Sequence, residues 1–141
     1  MIATTAGRVL ASIPSRKLAP IYAFDEMTMS DRLLAFDGYH GVSVYSVPDG
    51  RFLRFVAAPK PLRYDEYAVV VGDRHVVFWT SERAIAVDVA TGRSQPVENV
   101  ASPVPGADPF WAITALAVDH DTVYWARTAG GRSFVHSLRL R

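Results

Sequence analysis

The stretch DRHVVFWTSERAIAVDVATGR, residues 73–93, carries the clearest structural signal in the chain, because it contains two short strands with a tight turn after each. Its apolar residues alternate with a period of two, which is typical of strands in a sheet. The stretch DRLLAFDGYHGVSVYSVPDGR, residues 31–51, repeats this pattern in the same frame without a gap. Matched positions include Asp31 with Asp73, Phe36 with Phe78, Val44 with Ala86 and Gly50 with Gly92. The chain is therefore built from a repeated unit of strands.

A third copy begins at Asp119, where DHDTVYW aligns with DRHVVFW, and SFVHSL then aligns with the second strand. Its extra residues fall in TAGGR, residues 128–132, a turn in which insertions cost little. Residues 6–13 resemble the segment around Gly50 and predict a stray outer strand. Each complete unit has four strands, which in the second copy span residues 67–71, 75–80, 84–89 and 94–100.

Proline-bearing connectors separate the copies and no window shows a helical stripe, so the sequence predicts an all-β fold. The connectors are too short to be domain linkers, so residues 1–141 form one domain with repeats at about 24–60, 64–102 and 109–141. The predicted strand order is one outer strand, two complete four-stranded units, and a final unit of three strands. Aromatic residues that recur at one position of the repeat predict the core between units: Phe36, Phe78, Trp79, Tyr124 and Trp125.

Composition limits the classes of function. The chain has 141 residues, of which 50% are hydrophobic and 21% charged, which is the balance of a folded protein. The net charge of +1, with acidic and basic residues interspersed, favours neither nucleic acid nor an anionic membrane as a partner. The absence of cysteine excludes disulfides and thiolate chemistry. No apolar run reaches the roughly 20 residues of a membrane helix, and no secretory signal is evident, so a cytoplasmic location is the default expectation.

The repeat resembles a blade of a β-propeller. The motifs Phe78-Trp79-Thr80-Ser81 and Tyr124-Trp125-Ala126-Arg127 are similar to the Tyr-Trp-Thr-Asp signature of six-bladed propellers. The segment VDVATG, residues 87–92, resembles the blade ending of TolB-like and PQQ-like propellers. The resemblance implies four-stranded antiparallel blades with the first strand of each lining a central channel.

The number of repeats gives three blades, with the last one divided between the two termini. Closed propellers have four to eight blades, so three cannot close a ring. An open array would expose the apolar face of a blade at each end. Two hypotheses follow: two chains pair into a six-bladed ring, or the chain is part of a longer propeller.

Acidic pairs stand where two connectors enter a blade, at Asp25-Glu26 and Asp65-Glu66. In a propeller these four carboxylates would lie near the mouth of the channel, where oxygen ligands could bind a divalent cation or a cationic ligand. Solvated acidic residues at strand starts are the alternative interpretation. No other cofactor is evident. His40, in a turn near Asp37, is the histidine best placed for ligand binding, although a solvated turn histidine is the simpler interpretation.

Three arginines and one tryptophan are candidates for recognising a partner. Arg83, Arg127 and Arg132 are predicted in the turns between the second and third strands, where they could bind a carboxylate. Trp111 follows a proline connector and could be exposed there, or it could belong to the core.

No serine-nucleophile, phosphate-loop or dinucleotide motif follows any predicted strand. The sequence therefore favours a binding or interaction module that presents the loop face of a propeller to a ligand or protein. Two alternatives stay open. One is the propeller part of a hydrolase or lyase with a divalent cation at the channel mouth, and the other is a structural fragment of a longer protein.

Overall fold

The computed structural model of the chain describes residues 2–3, 9–11, 27–38, 40–47, 49–60, 62, 67–99, 112–129 and 132–141. Every regular element in these ranges is a β-strand, which confirms the predicted all-β class. In the same ranges there is no helix that is long and apolar enough to cross a membrane.

Two antiparallel sheets of four strands follow one another along the chain, each with its strands in sequence order. The first sheet contains β3 (Met27–Met29), β4 (Leu33–Gly38), β5 (Gly41–Ser46) and β6 (Phe52–Ala57). The second sheet contains β7 (Ala68–Val71), β8 (His75–Trp79), β9 (Arg83–Asp88) and β10 (Ser94–Asn99). The two sheets correspond to the first two predicted repeats.

The third sheet has three described strands, as the sequence predicts: β11 (Ala112–Asp119), β12 (Thr122–Ala129) and β13 (Arg132–Arg139). Near the N-terminus β1 (Ile2–Ala3) pairs with β2 (Val9–Ala11). The predicted outer strand at residues 6–13 thus corresponds to β2, but its described partner is β1. Among the described strands, β13 pairs with β12 alone.

The second sheet lies between the other two and is buried on both faces. Successive side chains of a strand point to opposite faces. Along β8, Val76 and Phe78 therefore face the first sheet, whereas Val77 faces the third, and all three are fully buried. The contact between the first and second sheets is called the first interface below, and that between the second and third sheets is called the second interface.

Both interfaces have apolar cores formed by alternating strand residues. The first interface is made mainly of branched aliphatic side chains around Phe78: Leu33, Ala35, Val42, Val44, Val56, Val69, Val71, Val76, Val87 and Val89. In the second interface, small residues of the second sheet receive larger residues of the third: Val77, Ala84 and Ala86 face Ile113, Val123, Trp125 and Leu140. Phe78 and Trp125 confirm the prediction that aromatic residues form this core.

The turns between the first and second strands of the three sheets stack on one another. The Ser30 hydroxyl donates a hydrogen bond to the Gly72 carbonyl (2.8 Å), and the Asp73 amide donates to the His120 carbonyl (2.8 Å). A Cβ atom at Gly72 would lie 2.7 Å from Val118 Cγ1 and closer still to the His120 oxygen, so only glycine fits without movement. The end of the sheets that carries these turns is called the turn end, and the opposite end, with the β4–β5, β8–β9 and β12–β13 connections, the hairpin end.

The repeat alignment of the third copy is wrong by one residue. Equivalent amide-to-carbonyl bonds of 2.8 Å join Val47 to Arg32, Val89 to Arg74 and Leu140 to Asp121. Asp121 is therefore the counterpart of Arg74, although the alignment placed His120 there. A slip of one residue moves every side chain of a strand to the other face. Trp125 consequently occupies the core position of Phe78, and Tyr124, predicted in the core, is 41% exposed on the outer face.

Candidate functional site

Five residues that the sequence singles out lie outside the described residues. They are the acidic pairs and the tryptophan of the connectors: Asp25, Glu26, Asp65, Glu66 and Trp111. The predicted cation site at a channel mouth is therefore still a prediction. Among the residues that the structure does describe, no three His, Asp or Glu side chains lie together as a metal-ligand set.

Asp37 and His40 lie in the same hairpin, at the connection between β4 and β5. Asp37 is half-buried, and its carboxylate accepts a hydrogen bond from the Gly38 amide at 2.8 Å. His40 is exposed with a positive φ of 122°, and its backbone carbonyl accepts a bond from the Ala58 amide. The carboxylate of Asp37 and the backbone of His40 thus have local structural roles. The prediction that the pair binds a ligand is untested.

The sequence predicted all three arginines in turns, but the structure places them in strands. Arg83 is the first residue of β9 and Arg132 the first of β13, whereas Arg127 lies inside β12, because that strand continues to Ala129. Arg127 is buried at the second interface, and its Nη2 lies 3.4 Å from Glu98 Oε1. It is therefore part of the packing between sheets and not a free recognition residue on the loop face.

Glu98 of β10 connects the second sheet to two residues of the third. Its second oxygen accepts a hydrogen bond of 3.1 Å from the Trp125 indole N–H, beside the contact with Arg127. The ring of His136 stacks on Trp125 with centroids 5.4 Å apart. The second interface therefore contains a polar cluster next to its apolar core, and this cluster orients Trp125.

The most concentrated group of polar side chains lies at the turn end of the second interface. His75, at the start of β8, is buried, and its Nδ1 lies 3.0 Å from Asp121 Oδ1 of the third sheet. Its Nε2 lies 3.8 Å from Asp88 Oδ2, at the end of β9. The antiparallel register pairs His75 with Asp88, and the packing of the sheets brings Asp121 to the other side of the ring. Nδ1 of the buried imidazole is therefore hydrogen-bonded across the interface, and a second carboxylate lies near Nε2.

Asp88 is held as a carboxylate by several donors. Its Oδ1 accepts bonds from the amide (2.7 Å) and the hydroxyl (2.8 Å) of Thr91, and Arg74 Nη2 lies 3.0 Å from its Oδ2. Burial opposes ionisation of this carboxyl, but the bonds from Thr91 and Arg74 outweigh that effect and lower its pKa below the usual value. Asp88 therefore stays charged and fixes the turn that follows β9.

A cavity of about 370 Å³ opens beside this network. The lining residues come from the start of β8, the turn between β9 and β10, the start of β10 and the second residue after β13: Arg74, His75, Asp88, Thr91, Arg93, Ser94, Gln95 and Arg141. Three guanidinium groups therefore line a cavity to which Asp88 contributes the one side-chain carboxylate. This arrangement is suited to an anionic ligand.

A larger cavity, of about 570 Å³, opens at the turn end of the first interface. Its lining is more apolar and includes Leu33, Leu53 and Val89. Arg54 crosses this interface and donates a hydrogen bond of 3.0 Å to the Val89 carbonyl. Arg54, Asp73 and Arg74 also line this cavity, and Arg74 is shared with the smaller one.

The turn-end network was missed in the sequence because its members belong to different repeats. One signal was present: where the first copy has Leu33, the second has His75, and where the first has Ser46, the second has Asp88. A polar residue at a position that is apolar in another copy of the repeat, such as His75 at the position of Leu33, indicates a polar contact with another part of the chain. The partner itself, Asp121, cannot be identified without the packing of the sheets. Comparison of the sequence with protein-family models and with curated proteins gives no significant match.

Proposed function

We propose that the chain is a binding module made of three β-propeller blades, and that it completes a six-bladed ring with a second copy of itself. The observation that carries this proposal is the difference between the middle sheet and the outer sheets. Both faces of the second sheet are covered within the chain, whereas each outer sheet exposes large apolar side chains on the face that points away from it.

The open face of the third sheet exposes apolar side chains. Tyr124 is 41% exposed and Val135 is 76% exposed, and the register of β11, β12 and β13 places both on the same face as Ala115 and Ala117. In the second sheet the equivalent face carries Val77, Ala84 and Ala86 and is covered by the next sheet. The third sheet thus presents the kind of surface that receives a further blade.

The open face of the first sheet presents a complementary surface with larger side chains. Met27 and Met29 of β3 are 63% and 60% exposed, and Phe52 and Phe55 of β6 are exposed on the same face, whereas Leu34 and Tyr45 between them are buried. The corresponding face of the second sheet packs on the first sheet, and the corresponding face of the third sheet packs on the second. In a dimer, the open face of the first sheet of each copy would pack on the open face of the third sheet of the other copy. Two copies would therefore bury all four open faces.

Ring closure fits the number of blades. Sheets of this kind pack face to face at about 10 Å, and closed propellers contain four to eight of them. Two copies of three blades give six. A closed ring buries the apolar faces at both ends of the stack, whereas an open stack leaves them in water.

The experiment is a measurement of molecular mass in solution by light scattering, at tens of micromolar protein. We expect a particle of twice 15.5 kDa, and we expect the substitution Val135→Glu to give a folded particle of half that mass. Phe134→Glu is the matched control, because Phe134 is the adjacent residue of β13, is exposed, and points to the opposite face. It should leave the dimer intact. A monomeric wild-type chain, or open polymers of increasing mass, would contradict the proposal.

A further inference from the structure

The cationic cavity at the turn end of the second interface is built from rigid parts. Three strand ends contribute to it: the start of β8, the turn between β9 and β10, and the end of β13. His75 is held by Asp121, and the turn that follows β9 is held by Asp88 through both donors of Thr91. The wall of the cavity therefore does not need to rearrange when a ligand binds.

The charges around this cavity are unbalanced. Arg74 contacts Asp88 through one nitrogen, and a guanidinium group has five N–H donors, so most of its donors remain. Within the described part of the chain, no carboxylate lies within ion-pair distance of Arg93 or Arg141. The side chains of the lining thus carry three positive charges and one negative charge, together with the polar groups of Thr91, Ser94 and Gln95.

We infer that this cavity binds the phosphate group of a small ligand. A phosphate monoester carries a charge near −2 and accepts hydrogen bonds on three oxygens. Guanidinium groups that reach one cavity from three strand ends can approach these oxygens from different directions, often through paired hydrogen bonds. A single carboxylate, with two oxygens in one plane, would satisfy only part of this set. The inference does not depend on the proposed dimer, because every residue that it uses belongs to one chain.

The first interface shows what the same position looks like without such a site. Arg51 is the counterpart of Arg93, because the Asp88 amide donates to the Arg93 carbonyl as the Ser46 amide does to that of Arg51. There the neighbouring positions are Leu33 and Ser46 in place of His75 and Asp88, and the cavity at this interface is lined by four apolar residues with Arg54, Asp73 and Arg74, but not by Arg51. Of these two cavities, the one at the second interface alone combines three arginines with a buried histidine.

The test is isothermal titration calorimetry of the full chain with inorganic phosphate, at constant ionic strength maintained with chloride. We expect one saturable site per chain and at least a tenfold loss of affinity for Arg93→Gln, because one of the three guanidinium groups is removed. Arg51→Gln is the matched control and should bind phosphate like the wild type. Thermal unfolding of both variants establishes that they are folded, which is expected because Arg51 and Arg93 are exposed.

A second titration, with malonate, separates phosphate recognition from general attraction of anions. We expect weaker binding of malonate than of phosphate. The inference is overturned if phosphate shows no saturable binding, if both arginine variants lose affinity equally, or if malonate binds as tightly as phosphate.

Discussion

The two interfaces join the same kinds of strand, yet the position that carries a leucine in one carries a histidine in the other. In the first interface Leu33 packs among valines. In the second, the equivalent residue is His75, which contacts Asp121 across the interface, and Glu98 contacts Trp125 and Arg127 further along. Apolar packing stabilises every alignment of two sheets in which their surfaces are complementary. A hydrogen bond between two particular side chains stabilises only the alignment that brings those side chains together.

This difference shows that sheets with the same strand order form interfaces of different chemistry. The first interface contributes mainly burial of apolar surface, at roughly 25 cal/mol per Å². Each hydrogen bond of the second interface contributes only about 0.5–1.5 kcal/mol of net free energy. The same polar side chains line a cavity with three arginines. The boundary between two such sheets is thus mainly apolar or carries a polar network, according to a few substitutions at the strand ends.

The largest effect is expected from truncating the centre of the first interface. Phe78→Ala removes a fully buried ring and should lower the free energy of unfolding by about 3–5 kcal/mol, measured by urea denaturation at fixed protein concentration. Phe134→Ala, at a ring that is 43% exposed and does not lie on an open face of the outer sheets, should cost about 1 kcal/mol, since less apolar surface is lost from contact. Equal costs for the two variants would show that Phe78 is not the centre of a core.

An intermediate effect is expected where the turns of the second and third sheets touch. Gly72→Ala forces the His120 carbonyl and Val118 away and should cost about 1–3 kcal/mol. Gly38→Ala is the control, because a Cβ at Gly38 meets only the Gly41 carbonyl at 3.4 Å and should change stability by about 0.5 kcal/mol or less. A neutral Gly72→Ala would mean that the turns are not in contact.

The smallest effect concerns the charge pair that joins the same turns. His120 Nδ1 lies 2.8 Å from Asp73 Oδ2, and this hydrogen bond and charge raise the pKa of the exposed imidazole. Because the pKa is raised on folding, the stabilisation is complete below the ordinary histidine pKa of about 6.5 and is lost as the pH rises through the raised value. Asp73→Asn should move the pKa of His120 back towards its ordinary value.

This prediction can be checked by NMR titration of the His120 ring protons. The substitution Asp49→Asn, in a turn of the first sheet, serves as the control and should leave the titration of His120 unchanged. An unaltered pKa of His120 in the Asp73→Asn variant would show that the two side chains are not paired in solution.

Much of the fold was predictable from the sequence because strand alternation and turn residues are local properties. The predicted second repeat, with strands at 75–80 and 84–89, corresponds to β8 (His75–Trp79) and β9 (Arg83–Asp88). The sequence did not determine the alignment of the third repeat to within one residue, so it did not determine which side chains of that repeat face the core. Asp119, His120 and Asp121 offer several alignments with the earlier turns, and neighbouring alignments place Tyr124 and Trp125 on opposite faces.

The candidate site differs from the residues that the sequence analysis singled out, among those that the structure describes. The sequence directed attention to Arg127 in a turn, but that residue is buried in a strand, and the cationic cavity uses Arg74, Arg93 and Arg141 instead. Turn residues look accessible in a sequence, but their accessibility depends on which sheet covers them. His75 showed no sequence spacing to a partner, because Asp121 lies in the next repeat.

Periodicity and turn chemistry were sufficient to establish the all-β class, the repeated unit and most strand positions, since these depend on neighbours within a few residues. The stacking of the sheets established the rest: which face of β12 is buried, which carboxylates meet His75, and which arginines share a cavity. Those features arise from contacts between residues of different sheets. Such contacts depend on the register of whole strands and on the packing of their faces, and no local pattern in the chain records them.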